Sequence, residues 1–439
     1  MSNKKRISIF IVVIALTAVF VFVSATRKGE ELKELTKKEK EEDFEYMYDI
    51  IKDNYVYFYD GEGISEEDWI ESKDYLKKRI VETKNNLEFY NVMDDIFSNY
   101  LGLHTDILDP LYYRDLVAGD FTGSFKKIFR KSKTKYEGWT ELLEKAYPEK
   151  YTGSNASFAM SLRNGENINT EILEKDKIAY LRIGSFAIDH DQNNRMFEKE
   201  KKEIEDFLRR VKDYPYLIID VSDNGGGSSM YWINSLAAPL GVGNIDDFID
   251  GDRFYVSRGG DYSMKYIKKD EPNIYKNKIE DLDFYSSLSE EIKKNFKYYR
   301  KSDDEGSREA NIEFAKNSGF IGFKGKKFVI INENTASAAT EFTEFCKWSG
   351  FAKLVGTSTA PLGGKDTYAL LPNSGLIIRI ECELSLLMLD KEGNFSVESK
   401  ISPDIEVEKS KFGKYGIREK YNTKVIKEII DRIDSDEFK

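Results

Sequence analysis

The chain has 439 residues, of which 40% are hydrophobic and 33% are charged, and its net charge is −11. A mean hydropathy of −0.54 excludes a protein with many membrane-spanning helices. The acidic balance argues against a nucleic-acid partner, because a phosphate backbone is bound by basic surfaces. Two cysteines and two histidines exclude a disulfide scaffold and make a mixed zinc site hard to build, so neither a metal nor an organic cofactor is predicted.

An uncharged segment at residues 7–25 follows three basic residues near the N-terminus. At a rise of 1.5 Å per residue a helix of this segment would span about 28 Å, close to the thickness of the bilayer interior, and the preceding basic residues favour a cytoplasmic N-terminus. We expect a membrane anchor that places the rest of the chain outside the cytoplasm. A signal segment cleaved after Ala25 is the alternative. With a retained anchor, residues 1–6 would be a cytoplasmic tail, and residues 26–42, which are rich in charge, a helical or solvated stalk rather than a packed element.

Residues 43–105 are predicted to form a small helical N-terminal domain. Ser65 and Asp68 resemble a capping box, and the apolar residues between 89 and 100 recur at the spacing of one helix face. Gly102 would end this helix, and His104 follows two residues later, so we expect His104 to be partly buried. Residues 106–176 form an intervening region of turns and short helices.

Strands and helices alternate from residue 177 onwards. Apolar runs predict strands at 178–183, 216–221, 327–331, 353–356 and 376–383, and helices are predicted at 196–211, 229–238, 336–348 and 418–434. This alternation is typical of an α/β fold with a mostly parallel sheet covered on both faces. The core would comprise residues 177–410, with a C-terminal helix in 411–439. The polar stretch 243–320 is interpreted as an insertion, either a lid or a surface elaboration.

Two of the predicted strands end in loops that could share one site. The first strand end leads into a loop that contains Gly225 and Gly226, and backbone N–H groups in such a loop can bind a phosphate or an oxyanion. The second leads to Ser337 at the start of a helix, where a serine can be either an N-cap or a nucleophile.

A nucleophilic serine needs a base, and the chain offers few candidates. His104 and His190 are the only histidines, and the polar loop around His190 favours a surface role for it. Lys365 is the other candidate, because a desolvated lysine can act as the base for a serine. Cys346 and Cys382 could pair outside the cytoplasm or remain two buried thiols.

Seven segments carry a resemblance to a known family when they are taken together. They are LGLHT (101–105), KIAYLRIGSF (177–186), LIIDVSDNGGG (217–227), IINENTASAATEF (330–342), VGTSTAPLGGK (355–365), LPNSG (371–375) and VESKISPDIEV (397–407). The chain resembles the tail-specific, or C-terminal processing, serine peptidases of family S41, nearer their tricorn-core-like branch. The resemblance spans about residues 40–410. It implies a ClpP/crotonase-like spiral core of strands and helices, and no PDZ module is recognised between 106 and 176.

The resemblance implies a role for individual residues of the two loops. Ser337 matches the nucleophile of the family. The backbone N–H of Ala338, together with that of Gly225 or Gly226, matches the oxyanion hole. Ser222 stands where the family usually has an arginine, which would weaken a local ion pair.

The resemblance also implies two alternative bases. In the tricorn-like branch the base falls on His104, and Glu398 completes the relay. In the processing-protease branch a lysine is the base, and Lys365 is the nearest match. The spacing that precedes Lys365 is longer than in that branch, which favours His104. Leu103 replaces the small or polar residue expected before the histidine.

The predicted function is that of a membrane-anchored, extracytoplasmic serine endopeptidase that cleaves a peptide or protein substrate through an acyl-enzyme at Ser337. A catalytically degenerate member that only binds peptides is one alternative. A crotonase-like acyl-transfer enzyme is the other, although the expected location outside the cytoplasm argues against a cytosolic acyl-CoA substrate.

Overall fold

The computed structural model describes residues 32–59, 64–102, 104–110, 113, 125–148, 167–188, 195–241, 254–270, 275–301, 321–388, 395–396, 400–412 and 423–435. The predicted membrane segment at 7–25 lies outside these residues, as do Leu103, His190 and Glu398. Within the described ranges, no helix combines the length and the apolar character needed to cross a bilayer.

Helices dominate the N-terminal part of the chain. They are α1 (Lys37–Asn54), α2 (Glu66–Glu71), α3 (Lys73–Val81) and α4 (Asn86–Tyr100), followed by the short strand β1 (Asp106–Ile107) and by α5 (Lys126–Ala146). The side chains of Thr36, Ser65 and Asn85 cap α1, α2 and α4 by accepting a backbone N–H three residues ahead. The predicted helices around residues 66 and 89–100 are therefore present.

Two parts of this region differ from the sequence-based expectation. The charged segment predicted as a stalk up to residue 42 enters α1 at Lys37, and Lys40 is buried with its ammonium group donating to the carbonyl of Thr83 at 2.7 Å. The segment that was expected to hold short helices contains α5, a single helix of 21 residues. Its buried residues form one stripe, but lysines and an arginine surround that stripe and obscure the apolar period in the sequence.

The α/β part begins with β2 (Ile168–Glu174) and β3 (Ile178–Ile183), followed by α6 (Arg195–Val211), β4 (Tyr216–Asp220), α7 (Ser229–Trp232) and α8 (Ala238–Leu240). The next described elements are β5 (Phe254–Ser257), α9 (Asp261–Asp270), β6 (Asn277–Lys278), α10 (Glu290–Asn295) and β7 (Tyr298–Lys301). The chain continues with β8 (Lys326–Ile331), α11 (Ala338–Ser349), β9 (Lys353–Gly356), β10 (Asp366–Leu370), β11 (Ile377–Glu381), β12 (Leu384–Met388), β13 (Phe395–Ser396), β14 (Ile405–Glu406) and α12 (Thr423–Asp434).

A six-stranded sheet in the order β14-β9-β8-β4-β3-β2 forms the centre of the α/β part. All neighbouring strands are parallel except β2, which runs antiparallel to β3. On one face, Leu217 and Ile219 of β4 pack in a core with residues of α6, α7 and α11. On the other face, Ile218 packs with residues of α12. The prediction of a mostly parallel sheet covered on both faces is confirmed.

The region predicted as an insertion contributes to a second sheet. Strand β7 pairs antiparallel with β5 and with β6, and β5 pairs antiparallel with β12, which gives the order β13-β12-β5-β7-β6. The described part of the insertion is thus integrated with a later strand rather than laid over the central sheet. Its strands are short, with the sequences FYVS in β5 and YYRK in β7, and they form no long apolar run in the sequence.

The N-terminal helices share one hydrophobic core with a third sheet, β1-β11-β10. Phe44 and Met47 of α1, Met93 of α4 and Ile378 of β11 are fully buried in this core. Asp43 of α1 stabilises the turn between β10 and β11. Its carboxylate oxygens accept hydrogen bonds from the backbone N–H groups of residues 373 and 374, at 2.7 and 2.8 Å. Cys346 and Cys382 are both buried and are not bonded to each other.

Candidate active site

The loops that follow β4 and β8 lie side by side because these two strands are adjacent and parallel. The backbone N–H of Ala336 donates to the carbonyl of Asn224 at 3.0 Å. The carboxylate of Asp223 accepts hydrogen bonds from the side-chain amides of Asn332 and Asn334, each at 2.9 Å. The two loops singled out in the sequence therefore form one cross-linked unit.

Ser337 stands immediately before α11 with φ +54° and ψ −126°. Such a backbone costs a residue other than glycine about 1–3 kcal/mol, and it persists where the surrounding structure enforces it. The side chain makes no capping hydrogen bond, and its hydroxyl has no hydrogen-bonding partner among the described residues. Ser337 thus occupies the N-cap position, but its side chain does not accept a hydrogen bond from the first turn of the helix. A strained serine with a free hydroxyl at the positive end of a helix is suited to nucleophilic attack.

Gly226 packs directly against the serine. Its φ is +94°, and a Cβ atom at this position would lie 2.7 Å from Cβ of Ser337 and 2.9 Å from the backbone nitrogen of Ala338. The N–H of Gly226 already donates to the side-chain oxygen of Asn224 at 2.9 Å. The N–H of Ala338 is the first of α11, where no acceptor within the helix is available. These contacts favour Gly225, rather than Gly226, as the second donor to an oxyanion.

Ser222, which replaces the arginine of the family motif, is fully buried. Its N–H and its hydroxyl both donate to one carboxylate oxygen of Asp220, at 2.9 and 2.6 Å. Tyr180 donates to the other oxygen at 2.7 Å. Ser222 and Tyr180 thus both donate to the Asp220 carboxylate at the end of β4.

His104 lies in the turn between α4 and β1, with 42% of its side chain exposed, as the prediction of partial burial required. Its Nδ1 atom is 3.5 Å from Oε1 of Glu381. Desolvation lowers the pKa of His104, which favours the neutral imidazole that a general base requires.

Glu381 is the carboxylate that the sequence analysis missed. It lies at the end of β11 with 2% of its surface exposed, and Oε2 accepts a hydrogen bond from the hydroxyl of Tyr57 at 2.8 Å. Burial raises the pKa of Glu381. A Cβ atom at Gly363 would overlap the Glu381 carboxylate, so only glycine fits beside it. The only sequence signal was a glutamate inside an apolar strand, and Glu398, predicted for the relay, lies outside the described residues.

Asp366, the first residue of β10, completes a group with His104 and Glu381. Each of the three side chains offers one potential metal-ligating atom, and these atoms lie within 4.8 Å of one another. Burial, and next to it the negative charge of Glu381, raises the pKa of Asp366. Imidazole and carboxylate groups at this spacing could bind a divalent ion.

Lys365, the alternative base, is attached to the same strand end as Glu381. Its N–H donates to Oε2 of Glu383 at 2.9 Å, and its carbonyl accepts the N–H of Cys382 at 3.1 Å. The backbone of Lys365 and the side chain of His104, the two candidate bases, therefore both lie at the end of β11.

One loop connects this group with the nucleophile. The N–H of Ala360 donates to the carbonyl of Thr335 at 3.0 Å, two residues before Ser337, and Gly363 packs on Glu381. In the part of the chain that the structure describes, the Ser337 hydroxyl is not hydrogen-bonded to His104. Catalytic hydrogen bonds are often long or poorly aligned until substrate binds, so the missing hydrogen bond does not exclude His104 as the base.

The comparisons with known proteins identify the family. The sequence model of peptidase family S41 matches residues 177–407, which is more than half of the chain. This match includes Ser337 and both glycines, whereas His104 precedes it. A search of curated protein sequences gave no match.

Several solved structures are similar in outline. Mature CPAF shares 14% identity at a TM-score of 0.42, over 90% of this chain and 96% of CPAF. A putative peptidase from Parabacteroides merdae shares 17% identity at 0.41, over 85% of this chain and 90% of that one. A lipoprotein from Streptococcus agalactiae shares 15% identity at 0.40, over 84% and 92% of the two chains. The family assignment depends on the sequence match and not on these similarities.

Proposed function

Because the chain belongs to peptidase family S41 and is a serine-type peptidase, we propose that it hydrolyses peptide bonds in a peptide or protein substrate through an acyl-enzyme at Ser337. The observation that carries the proposal is the backbone of Ser337, which is held at positive φ before α11 while the side chain makes no capping bond. The family assignment favours peptide hydrolysis over the acyl-CoA chemistry considered as an alternative.

The reaction follows the general course of a serine hydrolase. Ser337 Oγ attacks the scissile carbonyl while Nε2 of His104 accepts the hydroxyl proton, and the oxyanion is bound by the N–H groups of Ala338 and Gly225. His104 then returns the proton to the leaving amine, and water hydrolyses the acyl-enzyme by the same route. The positive end of α11 favours the negative charge that develops beside Ser337.

Replacing Ser337 by alanine tests the nucleophile. We expect Ser337→Ala to lose about 10⁴-fold or more in peptide hydrolysis and to lose labelling by a fluorophosphonate probe, while circular dichroism and thermal unfolding stay close to wild type. The matched control is Ser222→Ala, which removes a buried hydroxyl of the neighbouring loop and should leave labelling of Ser337 in place. Equal labelling of wild type and Ser337→Ala would reject the assignment. Peptide binding without labelling of wild type would indicate a degenerate member.

Two carboxylates are candidates for orienting the imidazole. The contact with Nδ1 of His104 favours Glu381, whereas the family resemblance predicts Glu398. We expect Glu381→Gln to lower kcat/KM by up to about 10⁴-fold, because the amide would favour the wrong tautomer of the histidine. If only Glu398→Gln has this effect, Glu398 has the orienting role.

The identity of the base can be decided in the same assay. We expect His104→Ala to abolish hydrolysis and Lys365→Ala to retain a measurable fraction of it. The reverse result would assign proton transfer to Lys365, in the manner of a Ser–Lys pair. His190→Ala is the matched control for loss of an imidazole, because it removes the other histidine of the chain.

We also propose that residues 7–25 anchor the peptidase in a membrane, with the catalytic part outside the cytoplasm. The support is the uncharged length of this segment and the basic residues before it. Alkaline extraction of membranes should leave the full chain in the pellet, and a protease added outside intact cells should digest the catalytic part of the chain. Recovery of a soluble chain that begins after Ala25 would identify a cleaved signal segment instead.

A further inference from the structure

Three ligand-type side chains meet where the N-terminal helices join the sheet β1-β11-β10. Ligand atoms of His104, Asp366 and Glu381 lie within 4.8 Å of one another. Around a tetrahedral zinc ion with bonds of about 2.0–2.1 Å, ligand atoms are about 3.3–3.5 Å apart. Nδ1 of His104 and Oε1 of Glu381 are already separated by 3.5 Å. Moving the Asp366 ligand atom by little more than about 1 Å would complete a three-ligand set.

One guanidinium faces several carboxylates around this group. Arg379 pairs with Asp106, and its positive charge partly offsets the burial that raises the pKa of Asp366 and of Glu381, but within the described residues neither of these two carboxylates forms an ion pair with a lysine or an arginine. When both carboxylates are ionised beside a neutral imidazole, the group carries two negative charges, and burial opposes this state by raising the pKa of each carboxyl. One divalent cation would balance both charges, whereas an uncompensated buried charge is costly.

Asp366 provides a separate indication that a partner is missing. Its Oδ1 atom is buried and accepts no hydrogen bond from any residue that the structure describes. An unsatisfied buried acceptor costs about 1–3 kcal/mol, and a bound cation would supply the missing interaction. The partly exposed ring of His104 leaves a path by which an ion could enter.

We propose that His104, Asp366 and Glu381 bind a divalent transition-metal ion such as Zn²⁺, and that the bound ion inhibits the peptidase. Imidazole and carboxylate ligands suit this ion, and three protein ligands leave one position for water. The ion takes the lone pair of Nδ1, so the single proton of the neutral ring moves to Nε2. An Nε2 atom that carries a proton cannot accept the proton of Ser337. This inhibition rests on the proposed role of His104 as base, whereas the binding of the ion does not.

No metal site was expected from the sequence, because the chain has only two histidines. The proposed site needs one histidine, and its two carboxylates come from other strands that are brought together by the pairing of β1 and β10 with β11. Counting histidines and cysteines along the chain does not detect such a set.

Direct titration with Zn²⁺ tests the binding without reference to peptidase activity. The full chain is freed of metal with a chelator, kept in mild detergent and titrated calorimetrically with Zn²⁺. We expect one site in wild type, in Ser337→Ala and in His190→Ala. His104→Ala and Asp366→Asn should bind Zn²⁺ more than about 100-fold more weakly, since even the loss of an outer partner of a metal ligand costs about 10–100-fold. Asp366→Asn preserves the shape of the side chain, so it guards against a folding defect in His104→Ala.

The inhibition is measured as the rate of fluorophosphonate labelling of Ser337 with and without Zn²⁺. We expect saturating Zn²⁺ to suppress labelling of wild type, a chelator to restore it, and Asp366→Asn to require at least about 100-fold more Zn²⁺. Equal affinity of wild type, His104→Ala and Asp366→Asn for Zn²⁺ would overturn the site. Binding through these residues without any effect on labelling would overturn the inhibition. A metal-free wild type that is not labelled contradicts the proposed function alone, because the titration still judges the site.

Discussion

Adding one methyl group at Gly226 should disable the candidate active site without unfolding the chain. The new Cβ of Gly226→Ala would lie 2.7 Å from Cβ of Ser337 and 2.7 Å from the carbonyl oxygen of Ala336, so these atoms must separate by about 0.7 Å to reach an ordinary contact of 3.4 Å. The nucleophile and the N–H of Ala338 would be displaced together. A misplacement of about 1 Å in an active site can cost about 10²-fold in rate. The φ of +94° adds backbone strain of about 1–3 kcal/mol for alanine.

The neighbouring Gly225 offers a matched control for this change. A Cβ atom at Gly225 would meet nothing within 4 Å, and its φ is not positive. Gly225→Ala keeps the backbone N–H that we assign to the oxyanion hole, so it should retain activity within a few fold and stability within about 0.5 kcal/mol.

The assay compares the rate of fluorophosphonate labelling and kcat/KM for the two variants, with urea unfolding measured in parallel. We expect a loss of about 10²-fold for Gly226→Ala only. Wild-type rates in a folded Gly226→Ala would refute the inferred contact between this loop and the nucleophile. An equal loss in both variants would show that the loop tolerates no side chain at either position, contrary to the geometry.

Two further predictions concern the link between the N-terminal helices and the site. Tyr57→Phe removes the 2.8 Å hydrogen bond to the buried carboxylate of Glu381, so the free energy of unfolding should fall by about 1–3 kcal/mol. We also expect kcat to fall more than KM changes. Unchanged kinetics would show that Glu381 has no part in catalysis. Asp43→Ala leaves the N–H groups of Asn373 and Ser374 without their acceptor, so the free energy of unfolding should drop by about 2–5 kcal/mol. A loss below about 0.5 kcal/mol in urea unfolding would mean that the turn does not depend on α1.

The central sheet could be predicted because its strands are buried on both faces. Residues 216–220 and 326–331 include continuous apolar runs, and the alternation with amphipathic helices leaves few other folds. The serine and the glycine loop could be placed at one edge because adjacent parallel strands end together. The free hydroxyl of Ser337 was not predictable, since the same sequence also fits an N-cap, and only the backbone angles separate the two.

Glu381 and the second sheet could not be predicted for physical reasons. Glu381 is paired with His104 through the register of β1 and β11, which places Asp106 opposite Arg379, and no local pattern encodes a contact between segments so far apart in the chain. Strands β5 and β7 carry tyrosines and polar residues on short runs, so their pairing depends on β12, which follows them late in the sequence. Long-range pairing of this kind is decided by tertiary packing rather than by local preference.

The shared core of the N-terminal helices and the sheet β1-β11-β10 has a practical consequence for protein production. A recombinant fragment trimmed to the matched region, 177–407, would keep Ile378 and Leu384 but lose Phe44 and Met93, with which they share one buried core. It would also lack His104. Expression boundaries for biochemical work should therefore be drawn upstream of α1, since an exposed apolar surface of this extent promotes aggregation.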